Sequence, residues 1–378
     1  MTENFIKKKD IYFPSFSGPN DNLKSLLNKT SRIICDWFSD AEKLGPLPTD
    51  ESFSIPMPDD ENNSTDELFS EIESLIVNSF NPVHPGSLAH LDPPPLIFSI
   101  LGDLIAAGLN NNLLAYELSP SITILEDSLF KWFSKKIGFS DKSGGIAASG
   151  GTLSNLNALI AARHNAGLSS DPDAVFLISE DAHSSFIKFT RIMGLSENNL
   201  VKIKTDNDGC MDLDFLKSSI EQCSKVNKKI FSIVATLGTT IRGAIDPIKD
   251  ISVICKEKNI WLHIDGSIGG IYAITDIPIK GMDQINNANS ITINPQKILG
   301  ITKTSSLLLV SNIDNLKHTF SSGIPYISSK SNIIDRGEIG IQGSRPAEII
   351  KLWLGLRFLG MSGIEEILIS SVKRRAFF

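Results

Sequence analysis

Four short apolar runs constrain the fold of this chain most: AVFLIS (174–179), IFSIVAT (230–236), IWLHI (260–264) and SITI (290–293). Each has the length of a strand, and helical patterns separate most of them. That alternation is expected of a largely parallel sheet in an α/β domain, whose strands are apolar throughout because both faces are covered. Ligands of such sheets bind beyond the carboxyl ends of the strands, so the polar residues after each run are the ones to read for chemistry. They are His183 after the first run, Thr239 and Thr240 after the second, Asp265 after the third, and Lys297 of Asn-Pro-Gln-Lys after the fourth.

Taken singly these residues say little. A lysine after a strand is usually a solvated charge, and an aspartate there is usually a helix or turn cap. A fifth segment, GGIAASGGTLSNLNALIAAR (144–163), reads as a glycine-rich turn running into an amphipathic helix. Such a helix start offers unpaired backbone N–H groups and the positive end of the helix dipole to a phosphate. A helix merely capped by Ser149 or Thr152 is the simpler reading. The segment lacks the GK[ST] ending of a P-loop and the spaced glycines of a dinucleotide fingerprint. The combination is more telling. A phosphate cradle, an acid and a lysine, each at a separate strand end, are what a pyridine aldehyde phosphate needs. The lysine amine, partly deprotonated by its surroundings, condenses with the aldehyde. The acid keeps the ring nitrogen protonated so that electrons can flow into the ring.

The remaining sequence adds limits. Residues 1–80 are polar and read as an irregular arm, with an acidic, Asn- and Ser-rich stretch from Pro58 to Glu67 as an exposed loop. Helical patterns run from Leu96 to Leu109 and from Ile122 to Ile137. The net charge of -7 disfavours nucleic acid or an anionic membrane as partner. The longest apolar stretch, Leu96 to Leu109, contains Asp103 and is too short to span a bilayer. The N-terminal MTENFIKKKD lacks the apolar core of a secretory signal, so cytoplasm is the expected compartment. Cys35, Cys210, Cys223 and Cys255 have no CxxC spacing, which leaves reduced thiols rather than a disulfide framework or a metal site.

With ELSPSITILE (117–126), SGGTLSNLNALIAAR (149–163), DAHSS (181–185), TLGTT and GAIDP (236–247), WLHID (261–265), NPQK (294–297) and KLWLGLRFLG (351–360), the chain resembles the group II PLP-dependent amino-acid decarboxylases, which include aromatic-amino-acid, glutamate and diaminobutyrate decarboxylases. The resemblance runs from about His84 to the C-terminus. It implies the aspartate-aminotransferase-like (fold type I) α/β architecture with a mostly parallel central sheet, a homodimer, and pyridoxal 5'-phosphate as cofactor. It implies an N-terminal arm (1–80), a large PLP-binding domain (81–315) and a small C-terminal domain begun at 316–378 and truncated. Carried over by residue, Lys297 is the Schiff-base lysine, Asp265 the pyridinium partner and His183 the residue stacked on the ring. Gly151, Thr152 and Asn294 match phosphate-binding positions, and Thr240 and Ser267 line the ring. Tyr326, in IPYIS, matches the mobile-loop tyrosine that protonates the α-carbon after carbon dioxide leaves; a loop aromatic at an interface is its plain reading. Substrate contacts are expected in His84–Pro95, with His84 and His90 themselves structural.

This sequence departs from the family pattern in three places. Gln296 stands where the family carries His before the lysine, and an amide cannot titrate. Gly266 and Ser267 replace the usual small residues after the aspartate. Relatives continue for roughly another hundred residues. The expected activity is therefore decarboxylation of an L-amino acid to its amine. A different PLP-dependent lyase reaction, or a truncated non-catalytic homologue that acts as a binding or dimerisation partner, are the alternatives. A nucleotide-binding enzyme using SGGT as its phosphate loop leaves Lys297 and Asp265 unexplained.

Overall fold

The computed structural model describes residues 13–15, 18–48, 53–58, 63–88, 91–323 and 333–377. The chain divides into two compact units, Met1–Pro94 and Pro95–Phe378. The first unit holds α1 (Asp21–Ser39), α2 (Ala41–Leu44) and α3 (Thr65–Val77). Helix α3 begins with a capping box: the Ser64 hydroxyl accepts from the Glu67 N–H at 3.2 Å, and the Glu67 carboxylate accepts from the Ser64 N–H at 2.8 Å. The residues that read as a polar loop up to Glu67 thus include a helix start, and the arm is not uniformly irregular. Serine and acidic residues satisfy the free N–H groups of a first turn, so their density marks a cap as readily as a loop.

The second unit carries α4 (Ile97–Leu109), α5 (Pro120–Ile137), β1 (Gly144–Ala148), α6 (Gly151–Asn165), β2 (Ala174–Ser179), α7 (Ser185–Ile192), β3 (Leu200–Ile203), α8 (Leu213–Lys225), β4 (Lys229–Thr236), α9 (Ile248–Lys258), β5 (Trp261–Gly266), β6 (Ser290–Ile293), α10 (Pro295–Ile298), β7 (Ser306–Val310), α11 (Asp314–Phe320) and α12 (Ile349–Phe377), which breaks at Gly360. The seven strands lie in the order β1-β7-β6-β5-β4-β2-β3. Strands β2 to β6 run parallel to their neighbours among themselves, while β7 pairs antiparallel with both β1 and β6. All four apolar runs of the sequence are strands of this sheet, buried on both faces.

Two readings of the glycine-rich segment change. Gly144–Ala148 is a strand, not a turn: Gly145 lies so close to β7 and α5 that a Cβ there would sit 2.2 Å from the Leu308 carbonyl oxygen and 2.5 Å from the Phe130 ring. Its glycine serves close approach rather than flexibility. Helix α6 is not amphipathic but packed nearly all round, with Ser154 to Leu159 all buried. Its N-cap is Gly150, at φ 116°, and neither Ser149 nor Thr152 caps it with a side chain.

Side chains alternate along each strand. In β5, Leu262 and Ile264 face one layer of the core while Trp261, His263 and Asp265 face the other, toward α6. Cross-strand register then sets Thr236 of β4 and Thr292 beyond it beside Asp265, and Ser290 beside His263. A polar row across three strands is the floor of the site.

Candidate active site

The carboxyl ends of β4, β5 and β6, the start of α6 and the turn before α7 enclose a cavity of about 290 Å³. Gly151, Thr152, His183, Thr240, Asp265, Ser267, Asn294 and Lys297 all line it. Residues as far apart in the chain as Ser149 and Thr304 meet there because parallel strands deliver their ends to one edge. Thr239 is instead buried in its turn, where its hydroxyl accepts from the Ala244 N–H at 3.0 Å. His84 lies in the first unit, its Nδ1 accepting from the Gly86 N–H at 2.9 Å. Tyr326 and His90 lie outside the described residues.

One wall is a cradle that only glycine permits. A Cβ on Gly151 would lie 2.5 Å from Asn294 Nδ2 and 2.7 Å from Ser267 Oγ, contacts real Cβ atoms do not make. Asn294 is held in place from behind: its Oδ1 accepts from the Ser306 hydroxyl at 2.6 Å, and Ser306 meets Ser154 of α6 at 2.7 Å. With no side chain capping α6, its first N–H groups are left for a ligand.

The floor is acidic. Asp265 is buried, and its Oδ1 accepts from the Ser267 hydroxyl at 2.6 Å and the Ser267 N–H at 3.2 Å. The hydroxyls of Thr236 and Thr292, on either side of it in register, are buried and have no partner among the described residues. His183 stands at the opposite side, its Nδ1 accepting from the Ser185 N–H at 3.2 Å, with the Ser185 hydroxyl at 2.8 Å. Lys297 is half-buried on the one-turn helix α10, which Pro295 starts at its first position. Next to it, Gln296 turns its Oε1 to accept from the Ser305 N–H at 2.5 Å, tying α10 to the strand that follows.

Two lining or supporting residues escaped the reading of the sequence. Asn155, on α6 one turn beyond Gly151, lines the cavity, and its Oδ1 lies 3.0 Å from His263 Nε2. His263 is fully buried; its Nδ1 lies 2.8 Å from the Ser290 hydroxyl, which also accepts from the Trp261 indole N–H at 2.8 Å. Burial pushes the imidazole pKa down to about 4, against the pull of the Asp265 charge and the Ser290 backbone, so the ring is neutral near pH 7. The signal was present in WLHID, where polar residues at 263 and 265 share the face that carries the acid.

Residues 49–376 match the pyridoxal-dependent decarboxylase conserved domain. The chain belongs to this family. The acidic amino acid decarboxylase GADL1 of Xenopus tropicalis is 30% identical over 360 residues, which are 91% of this chain and 69% of the relative. The aromatic-L-amino-acid decarboxylase of Bacillus atrophaeus is 29% identical over 306 residues, 79% of this chain and 64% of that one. The chain thus spans between 64% and 69% of the length of these two relatives. Among solved structures, mouse CSAD superposes with a TM-score of 0.88 at 22% identity, covering 95% of this chain and 78% of that one. The Oryza sativa TDC structure with PLP and tryptamine gives 0.86 at 21% identity, covering 94% and 77%. The fold is therefore the fold type I architecture expected from the sequence.

Family members are amino-acid decarboxylases, carboxy-lyases that depend on PLP. The cavity of this pyridoxal-dependent decarboxylase family member fits that group. The Gly151 cradle and the uncapped α6 suit a phosphate, the buried acid suits a ring nitrogen, the unpartnered threonine hydroxyls leave polar capacity beside it, and Lys297 supplies an amine. Among the described residues no cluster of His, Cys, Asp and Glu could hold a metal ion, and no helix is long and apolar enough to cross a membrane.

Proposed function

We propose that this chain removes the α-carboxylate of an L-amino acid as carbon dioxide and releases the primary amine, with PLP as its cofactor. The observation that carries the reading is the convergence of Lys297, Asp265 and the Gly151 cradle on one cavity at the ends of parallel strands. Gly151, Thr152, Asn294 and the first N–H groups of α6 would hold the phosphate, where the helix dipole favours negative charge. Asp265, held in place by the N–H and O–H donors of Ser267, would pair with the protonated ring nitrogen. His183 would stack on the ring, Thr240 and Ser267 would line its edge, and Lys297 would supply the amine that holds the cofactor. When bound, PLP supplies the electron-poor ring that accepts the electron pair released as the carboxylate leaves. Tyr326 returns a proton to the α-carbon, and Gln296, locked on the Ser305 N–H, keeps α10 in place without exchanging protons.

The same reading makes the protein a homodimer in the cytoplasm, with an arm at 1–80, a large domain at 81–315 and the start of a small domain at 316–378. Supporting the dimer, α4 exposes Ile97, Leu101, Leu104, Ile105 and Leu109 along one helical face, an apolar stripe of the kind that a second copy covers. The four free thiols suit a reducing compartment.

Absorbance titration with PLP, then borohydride reduction and peptide mapping, tests the proposal: the label is expected on Lys297. Carbon dioxide release is then measured from acidic and aromatic amino acids, the classes that the relatives' names carry. Lys297→Ala is expected to lose both label and release. A label scattered over surface lysines would favour the non-catalytic homologue that Gln296 first suggested.

A further inference from the structure

Beneath the cavity runs a chain of hydrogen bonds that the reaction just proposed does not use. It starts at Trp261, whose indole N–H can only donate, and gives that proton to the Ser290 hydroxyl at 2.8 Å. Ser290 keeps one proton of its own, and His263 Nδ1 lies 2.8 Å from its oxygen. With Nδ1 accepting, the neutral ring carries its proton on Nε2 and donates it to Asn155 Oδ1 at 3.0 Å. The amide of Asn155 is then oriented: its carbonyl is turned to His263, its Nδ2 has no partner among the described residues, and the residue lines the cavity. The opposite tautomer would turn the amide round and present a carbonyl oxygen instead. Every member of the chain is at least nine-tenths buried, so its groups must satisfy one another rather than water.

We propose that His263 is a positioning residue of the cofactor site: as its Nε2–H tautomer it fixes Asn155 so that the amide N–H2 group is a donor to an acceptor oxygen of PLP. The inference rests on the cofactor reading above. It accounts for a second buried polar residue in β5 besides Asp265, flanked by Leu262 and Ile264 on the opposite face. It also sets a division of labour on the ring: an acceptor, Asp265, for the protonated nitrogen, and a donor, Asn155, for an oxygen.

Two measurements test it on the full chain. In protein labelled with 15N-histidine, without cofactor and at pH 7, one of the six histidines is expected to show the neutral Nε2–H pattern, and Ser290→Ala is expected to convert it to a tautomer mixture. PLP affinity is then titrated in His263→Leu, Asn155→Ala and the double variant. Each single change is expected to weaken binding at least tenfold, and the double no further, because both remove the same donor. His263→Gln, whose amide can still donate to Asn155, is expected to bind within threefold of the wild type. An Nδ1–H pattern at His263 overturns the proposal whether or not the leucine variant folds. So does wild-type affinity in a folded His263→Leu, or additive losses in the double variant, which would mark a merely structural histidine. Failure of the wild type to bind PLP at all would strike the cofactor reading itself, and the tautomer spectrum would show whether the hydrogen-bond chain stands apart from it.

Discussion

Gly151 concentrates the demands on this site into one residue. Its amide begins α6, and its missing side chain leaves the room that Asn294 and Ser267 border. Gly151→Ala places a methyl 2.5 Å from Asn294 Nδ2 and 2.7 Å from Ser267 Oγ, so one of these side chains must move. Asn294 is anchored by Ser306 and Ser267 by Asp265, so displacement of either propagates to the phosphate end or the ring-nitrogen end of the cavity. The expected result is a loss of PLP affinity of at least tenfold by fluorescence titration, with a melting temperature within a few degrees of wild type, since alanine suits a first helical turn. Unchanged affinity would mean that the cradle does not hold the phosphate.

At the scale of elements, helix α5 is tied to the segment before α12 by a mostly buried cluster of charges. Glu126 on α5 accepts from Arg345 Nη2 at 2.9 Å, and Arg336 Nη2 reaches Asp127 at 3.0 Å while its Nε stands 3.9 Å from Glu126. Glu126, Arg336 and Arg345 are each no more than 2% exposed. A buried ion pair adds little over well-packed apolar side chains, but removing one partner strands the other. Glu126→Ala leaves the buried Arg345 guanidinium without its anion, while Arg336 keeps Asp127, and is expected to cost about 3–5 kcal/mol in urea denaturation. Glu126→Gln, which can still accept from Arg345, is expected to cost less. A loss below about 1 kcal/mol in the alanine variant would show that the arginines find other partners.

At the scale of the whole molecule, two buried groups bend the pH dependence of stability in opposite directions. Asp246 is pushed up to about 6 by burial, although the Thr236 and Met211 N–H groups each donate to it at 2.7 Å. The stability it contributes is full below about pH 4 and is lost as pH rises through about 6, because the folded state holds the proton more tightly. His263, pushed down to about 4, does the reverse: its contribution is full above about pH 6.5 and is lost as pH falls through about 4. At roughly 1.4 kcal/mol per pKa unit, each is on the order of 3 kcal/mol, and in the wild type they offset. His263→Gln is therefore expected to lose stability on going from pH 4.5 to 6.5 and Asp246→Asn to gain it, as read by urea midpoints at constant ionic strength. Parallel profiles for the two variants would rule this account out.

Run length and side-chain period are local properties, and they sufficed for the four core strands, the helices at 97–109 and 120–137 and the polar residues at the strand ends. The chain by itself therefore determined that a lysine, an acid and a glycine-rich helix start would share one edge of a parallel sheet. Contacts between distant segments were beyond its reach. Gly144–Ala148 is a strand because Phe130 and β7 close over its glycines, and composition alone gives glycine to turns. β7 enters antiparallel between β1 and β6, an order that no local period encodes. His263 and Asn155 lie 108 residues apart, and Arg345 and Glu126 lie 219 apart, so each reads as an isolated polar residue until the fold supplies its partner. Buried polar groups are tolerated only in company, and only the tertiary structure decides what that company is.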